Sequence, residues 1–252
     1  MKVGLIVDTF QDSFDDISAK AREAEKAGLD GVFCYDHLWP IGHPGMPAMS
    51  CFPVLGALAA VTVRIFVGTL VARVSLYSSA HSAHSACSAH MDCDMLLHSF
   101  EAVDAIAPGR VIAGIGAGDS RSWQEDEAYG VGCSHVSERR MLVVESARKL
   151  VSEGMEVWVG SGSSRRSMFS NITVARTTGA AVNLWQADLE VAREAVSSDL
   201  PVTWAGSLER LAGGAQISPS DALAELAAAG VRWAVLGSND VKSVAKAASL
   251  SR

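Results

Sequence analysis

The sequence predicts one α/β domain with the (β/α)8 (TIM barrel) fold. Short apolar runs alternate with amphipathic helical segments along the whole chain, and eight such strand–helix units can be counted. Runs that are apolar throughout, rather than at every second residue, are typical of parallel strands covered on both faces. Eight units in 252 residues fit this barrel. The alternative, a doubly wound open sheet, usually has about five or six strands.

The first half of the chain contains four of these units. Its predicted strands are KVGLIVD, GVFCYDHLW, RIFVGTLVARV and VIAGIGAGD. The first helix should begin near Ser13 and end at Gly28, since glycine commonly follows the last helical turn. The apolar segment 51–72 is long enough to cross a membrane, but it contains Arg64 and changes from Ala/Leu to Val/Ile/Phe composition. A buried helix followed by a strand explains it better.

The second half repeats the pattern with the strands MEVWVGSG, AAVNLW, PVTWAG and VRWAVLG. Before the last of them, Ser218 is placed to cap a helix that has Pro219 in its first position and Asp221 in a capping box. A final helix, DVKSVAKAASL, follows the eighth strand. No interdomain linker is evident, so residues 1–252 are expected to form a single domain.

Composition and charge restrict the function. A formal net charge of -7 disfavours a nucleic-acid-binding surface, which needs a basic stripe. The five cysteines are odd in number and scattered, which indicates thiols in a reducing compartment. The opening MKVGLIVD does not have the pattern of a secretory signal. We therefore expect a cytoplasmic protein that binds neither nucleic acid nor membranes.

One segment, SSAHSAHSACSAHMDC at 78–93, differs from the rest of the chain. It places five potential metal ligands three residues apart: His81, His84, Cys87, His90 and Cys93. On a helix, residues three apart drift round the axis by about 60° per step, so four of them cannot converge on one ion as tetrahedral zinc requires. We predict a low-complexity insert and no functional metal site.

Functional side chains of a barrel are expected at the C-terminal ends of its strands. Asp36 and His37 end the second strand, and neighbouring strand residues point to opposite faces. One of them should face the barrel mouth while the other packs behind it. Histidine suits proton transfer near neutral pH, although such a pair can also be a structural hydrogen bond. Glu125 and Glu127 lie in a predicted loop that could cover the mouth, and Glu127 is expected to be solvated.

A Gly/Ser segment follows the fifth strand. In GSGSSRR, at 160–166, small residues would let backbone N–H groups approach an anion at a helix N-terminus. Arg165 and Arg166 could pair with a phosphate. The alternative is a flexible turn with two solvated arginines. The earlier GIGAG is a weaker signal, because it lacks the third glycine of a dinucleotide-binding fingerprint.

The order of several motifs resembles the luciferase-like monooxygenase superfamily, and most of all its single-chain flavin- or deazaflavin-dependent oxidoreductases. These motifs are GLDGVFCYDHLW, LGALAAVTVRIFVGTLVARV, GRVIAGIGAGD, EDEAYG followed by ERR, and VWVGSGS. The resemblance covers nearly the whole chain and weakens over Tyr77–Met95. It implies a (β/α)8 barrel that binds reduced FMN or coenzyme F-420 (F420), a deazaflavin, at the C-terminal mouth.

The resemblance also implies roles for individual residues. His37 and Glu125 are the expected catalytic residues, and Gly68–Val71 is the segment under the ring, where the family often has a non-prolyl cis peptide. The expected cofactor-binding residues are Asp36, Gly68, Thr69, Leu70, Val71, Gly116, Gly160, Ser161, Gly162, Ser163 and Arg165.

The predicted function is that of an oxidoreductase transferring hydride between the reduced coenzyme and a small organic substrate or oxygen. Two alternatives stay open: a non-catalytic flavin-binding protein of the same fold, and a barrel lyase or isomerase acting on a phosphorylated substrate. The chain is short for the family, which predicts a pocket that is either open or completed by the second subunit of a homodimer.

Overall fold

A ring of parallel strands lies inside a layer of helices in the computed structural model, which describes residues 1–78, 93–118, 122–131, 135–211 and 218–251. The strands of these ranges are β1 Lys2–Val7, β2 Gly31–Cys34, β3 Phe66–Thr69, β4 Ala72–Arg73, β5 Val111–Gly116, β6 Glu156–Ser161, β7 Ala181–Trp185, β8 Val202–Gly206 and β9 Trp233–Leu236. The helices are α1 Asp15–Lys26, α2 Cys51–Val61, α3 Asp94–Ile106, α4 Trp123–Ala128, α5 Val136–Ser152, α6 Arg165–Thr178, α7 Leu189–Val196, α8 Leu208–Leu211, α9 Pro219–Ala228 and α10 Val241–Leu250.

The sheet closes on itself because β3 pairs with β5 as well as with β2. Across the closure, Val67 lies opposite Val111 and Gly68 opposite Ile112. The two-residue β4 continues the third strand beyond the Leu70–Val71 peptide, which is cis, and pairs with the end of β5. The predicted third strand is therefore split, and the described residues form the closed eight-stranded parallel barrel that the sequence predicts.

Aromatic rings fill the N-terminal end of the barrel. Phe33 stacks on Trp158 with ring centroids 5.0 Å apart, and Trp158 contacts Trp233 at 5.5 Å. Phe33 needs glycine around it, because a Cβ on Gly4 or Gly68 would lie 2.9 or 2.7 Å from its ring. These glycines therefore serve interior packing, and the space left for a ligand lies towards the other end.

The helices follow several of the sequence signals. α1 is followed by Gly28 at φ +81°, and the Ser218 hydroxyl caps α9 by accepting the Asp221 N–H at 3.2 Å. The apolar segment 51–72 is divided between α2 and β3, as predicted. Across the described ranges, none of the helices has the length and apolar character needed to cross a membrane.

The predicted insert is described only at its two ends, Ser78 and Cys93. Its other potential ligands, His81, His84, Cys87 and His90, lie outside the described residues. Cys93 precedes α3 and is 3% exposed, with its thiol 4.0 Å from the Leu142 carbonyl oxygen. Cys93 is thus part of the hydrophobic core rather than of an exposed insert. The described ranges bring no three His, Cys, Asp or Glu residues together as a metal site.

Candidate active site

A cavity of about 670 Å³ opens at the C-terminal ends of the strands. Seven of the predicted site residues line it: His37, Leu70, Val71, Gly116, Gly160, Ser161 and Gly162. Six others lie outside its lining: Asp36, Gly68, Thr69, Glu125, Ser163 and Arg165. The cavity is within the range of about 300–1,000 Å³ usual for small-molecule pockets.

The floor of the cavity depends on two glycines. A Cβ on Gly116 would lie 2.6 Å from Val71 Cγ2, and one on Gly160 would lie 3.0 Å from the same atom. Both positions thus make room for the Leu70–Val71 segment. Gly68 and Thr69 belong to the barrel wall instead, since Gly68 packs on Phe33 and the Thr69 hydroxyl donates to the Gly114 carbonyl oxygen at 2.5 Å.

His37 and Glu125 meet beside the cavity. The distance from His37 Nδ1 to Glu125 Oε1 is 2.9 Å, and the Leu38 N–H donates to Glu125 Oε2 at 2.7 Å. The His37 side chain is 22% exposed and lines the cavity, whereas that of Glu125 is 1% exposed and lies behind it. Glu125 is in the short helix α4 rather than in the predicted covering loop, and Glu127 is exposed. With Nδ1 engaged, Nε2 is the imidazole nitrogen left for a ligand.

Arg73 connects this pair to Asp36. Its guanidinium donates to Glu125 Oε2 at 2.8 Å, to Asp126 Oδ1 at 3.2 Å and to the Asp36 carbonyl oxygen at 3.0 Å. Its side chain is only 4% exposed. Arg73 is not among the predicted site residues, because an arginine at a strand end usually reaches solvent. The one signal in the sequence is a charge at the end of a long apolar run.

Asp36 packs behind the cavity, as the alternation along a strand predicts. Its carboxylate accepts the Arg73 N–H at 2.8 Å and the Tyr77 hydroxyl at 2.8 Å. Burial raises the pKa of Asp36, although these hydrogen bonds favour its charged form. Burial also raises the pKa of Glu125, but hydrogen bonds from His37 and Leu38 and the charge of Arg73 outweigh it and bring the pKa below its usual value. Glu125 is therefore a carboxylate at neutral pH.

Aromatic side chains form a further wall. Phe10 stacks on Tyr35 with centroids 5.7 Å apart, and Tyr35 meets Trp185 edge-on at 6.1 Å. All three line the cavity, and Phe10 lies 6.3 Å from the His37 ring. Burial and the charge of Asp8 raise the pKa of Tyr35 to about 12, so its hydroxyl keeps its proton at neutral pH. This wall offers flat surfaces on which a planar ring could pack.

The Gly/Ser segment forms an ordered turn around the Ser167 hydroxyl. The Gly162 N–H donates to Ser167 Oγ at 3.0 Å, and the Ser161 hydroxyl donates to it at 3.2 Å. Ser164 caps α6 by accepting the Ser167 N–H at 3.2 Å. The turn thus brings two small residues and a helix N-terminus to the cavity, an arrangement that suits an anion.

Arg165 faces away from this turn. Its Nε donates to Glu194 at 2.7 Å, and its Nη2 donates to Glu190 at 3.2 Å, both on α7. The guanidinium is therefore paired with two carboxylates on the protein surface, outside the cavity lining, and the geometry does not support its predicted contact with a phosphate.

The fold and the cavity together define a class of protein: a (β/α)8 barrel whose strand ends border a cavity of the size usual for small-molecule pockets. Residues 1–93 match the family described as luciferase-like monooxygenase. This match confirms, over residues 1–93, the resemblance to this superfamily that the motifs predict.

Curated relatives match part of the chain. The F420-dependent glucose-6-phosphate dehydrogenase of Beutenbergia cavernae is 36% identical over 105 residues, which are 42% of this chain and 27% of the relative. The enzyme of the same name from Nakamurella multipartita is 29% identical over 140 residues, covering 56% of this chain and 35% of the relative. The chain thus spans about a third or less of the length of these relatives.

Solved structures match the whole barrel. An F420-dependent secondary alcohol dehydrogenase, in complex with an F420-acetone adduct, superimposes with a TM-score of 0.69 at 14% identity, covering 100% of this chain and 99% of the other. The monooxygenase RslO1 from Streptomyces bottropensis gives a TM-score of 0.65 at 17% identity, covering 99% and 97%. At these identities the matches concern the fold, and they confirm the predicted barrel.

Proposed function

We propose that the protein is a deazaflavin-dependent oxidoreductase that transfers hydride between coenzyme F-420 and a small organic substrate. The observation that carries the proposal is the His37–Glu125 pair at a cavity large enough for a coenzyme ring. FMN is the other coenzyme that the motifs imply. The names of the curated relatives favour F420.

The residues at the cavity fit such a group. Ser122 Oγ and Arg139 Nε are buried polar atoms without a hydrogen-bond partner in the described part of the chain, and both residues line the cavity. Buried polar groups are normally satisfied, so these atoms suit a ligand with polar substituents. The Phe10, Tyr35 and Trp185 wall suits a planar ring.

Each part of the cavity would then have a defined task. The Leu70–Val71 segment, with Gly116 and Gly160 beneath it, would support the ring. The turn at Ser161 and Gly162 would set the phosphate of the tail against the N-terminus of α6. When bound, the coenzyme supplies a carbon that gives or accepts the hydride, and the protein supplies binding, orientation and exclusion of water.

The proton that accompanies the hydride is assigned to His37. Because Nδ1 is bonded to Glu125, Nε2 is the nitrogen left for a ligand, and it can hold a proton or give one to a substrate oxygen. Glu125 orients the imidazole through Nδ1, and Arg73 keeps Glu125 ionised and in place. General acid–base groups contribute about 10²–10⁴-fold to rate.

A titration tests the proposal. Coenzyme F-420 and FMN are added separately to the purified protein, and absorbance and fluorescence changes report binding. We expect saturable binding that is tighter for F420. Glucose 6-phosphate and secondary alcohols, the substrate types in the names of similar proteins, are then screened for loss of oxidised F420 absorbance.

The outcome separates the alternatives. Tight binding of FMN without binding of F420 would mean that the coenzyme is FMN rather than F420. Binding of either coenzyme without turnover of any oxidisable substrate would favour the non-catalytic flavin-binding protein. Failure to bind both would overturn the proposal and favour a lyase or isomerase of a phosphorylated substrate.

A further inference from the structure

The cavity carries a charge opposite to that of the protein as a whole. The chain has a formal net charge of -7, yet three arginines line the cavity and none of its described lining residues is Asp or Glu. Arg73 is neutralised locally by Glu125 and Asp126. The excess positive charge therefore comes from the other two, Arg139 and Arg140 in the first two turns of α5.

Neither of these arginines is paired within the chain as described. Arg139 and Arg140 make no ion pair with any described residue, and the buried Nε of Arg139 has no hydrogen-bond partner there. The charge of Arg139 acts to lower the pKa of Asp126, but the Asp126 carboxylate accepts its hydrogen bond from Arg73. A guanidinium that lines a cavity with unused donors is a ready partner for an anion.

Two further features belong to the same cavity. Ser122 lines the cavity and is 1% exposed, and its buried hydroxyl has no hydrogen-bond partner among the described residues. Gly118, at φ +71°, leaves the guanidinium accessible, and even an added Cβ there would lie 3.7 Å from Arg139 Nη1. A hydroxyl without a partner and two guanidinium groups thus line the same cavity.

We propose that Arg139, Arg140 and Ser122 form an anion subsite for a carboxylate or phosphate group. It is distinct from the Gly160–Ser163 turn, which lies on β6 and α6 and is built from backbone and serine groups. The proposal rests on the proposed function only for the source of the anion. That source is either the carboxylate-bearing tail of F420, which FMN lacks, or an anionic group on the substrate.

The test uses the full chain and the double variant Arg139→Gln/Arg140→Gln. The matched control is Arg148→Gln, which removes a charge from an exposed position of α5 outside the cavity lining. Four probes are titrated against each protein: inorganic phosphate, glucose 6-phosphate, F420 and FMN. Circular dichroism verifies that each variant is folded. Loss of two charge-assisted contacts predicts affinity about 10-fold or more weaker for the anion that uses the subsite.

The probes identify the source of the anion. Weaker binding of F420 with unchanged FMN assigns the subsite to the coenzyme tail, and weaker binding of glucose 6-phosphate assigns it to the substrate. If the double variant binds all four probes as tightly as Arg148→Gln does, the subsite does not exist. If the wild-type protein binds neither coenzyme, the proposed function fails. The phosphate titrations still decide the subsite on their own, and wild-type protein that binds no probe overturns both proposals.

Discussion

The two sides of the barrel mouth satisfy their charges in opposite ways. On the β2 and β4 side, Arg73, Glu125 and Asp36 are almost fully buried and bonded to one another. On the α5 and α6 side, Gly162, Ser163 and the two α5 arginines are more exposed. There, buried donor atoms have no partner in the described chain.

This difference indicates that the first side positions a reacting group and that the second side binds a ligand. A buried ion network is stable only when every member is paired, so the first side keeps its geometry without a ligand. Such preorganisation suits a group that must stand within reach of a reacting atom. On the second side the turn uses two of its donors on Ser167, but Arg139 Nε has no partner among the described residues, which suits recognition of a charged tail or substrate.

The largest effect is expected from breaking the paired side at its centre. Arg73→Met removes the charged arginine partner of the buried Glu125 carboxylate and a hydrogen bond to the Asp36 carbonyl oxygen. Removing one member of a buried ion pair typically costs about 3–5 kcal/mol of unfolding free energy. Urea denaturation of the wild-type protein and the variant measures this difference in unfolding free energy.

Arg148→Met is the control for this change, since it removes an exposed arginine from α5 and should alter the unfolding free energy by less than about 0.5 kcal/mol. If Arg73→Met is destabilised by no more than that control, the network does not hold this side of the mouth together.

His37→Ala should separate rate from affinity. Glu125 keeps its bonds to Arg73 and Leu38, so the network survives, while the proposed proton carrier is lost. We expect turnover to fall by about 10²–10⁴-fold and coenzyme affinity to change much less. Rapid-mixing measurement of coenzyme reduction, together with binding titrations, gives both quantities.

Glu125→Gln is the companion variant, because it retains an acceptor for His37 and loses the charge; we expect a smaller loss of rate. If His37→Ala reduces the coenzyme within about a factor of two of the wild-type rate, the loss is far smaller than general acid–base groups usually cause. His37 would then be a packing residue.

The smallest effect is expected on the α5 and α6 side of the mouth. It is the difference in coenzyme affinity between Gly162→Asp and Gly162→Asn. A Cβ at Gly162 would meet Ser167 Oγ at 3.5 Å, an ordinary contact, so neither side chain should disturb the fold. Asp adds a negative charge where we place a phosphate, and repulsion of about 1 kcal/mol or more corresponds to roughly 5-fold weaker coenzyme binding. Equal affinities for the two variants would mean that no phosphate binds at this turn.

Much of this architecture could be predicted from local patterns. Apolar runs and caps such as Ser218 define strands and helices over a few residues, and the barrel rule then places His37, Gly160 and Gly162 at the mouth. The alternation along a strand also predicts that Asp36 and His37 face opposite ways. Each of these inferences uses only neighbours in the sequence.

The sequence by itself therefore determined the order of the elements, the barrel and which strand ends form its mouth. Only the tertiary structure decided the pairing of side chains. His37 and Glu125 are 88 residues apart, and Arg73 and Glu125 are 52 apart. Likewise, Gly68 packs on Phe33, and Arg165 turns to Glu190 and Glu194. These contacts depend on how the closed barrel sets one strand end beside another, and no local periodicity encodes that distance.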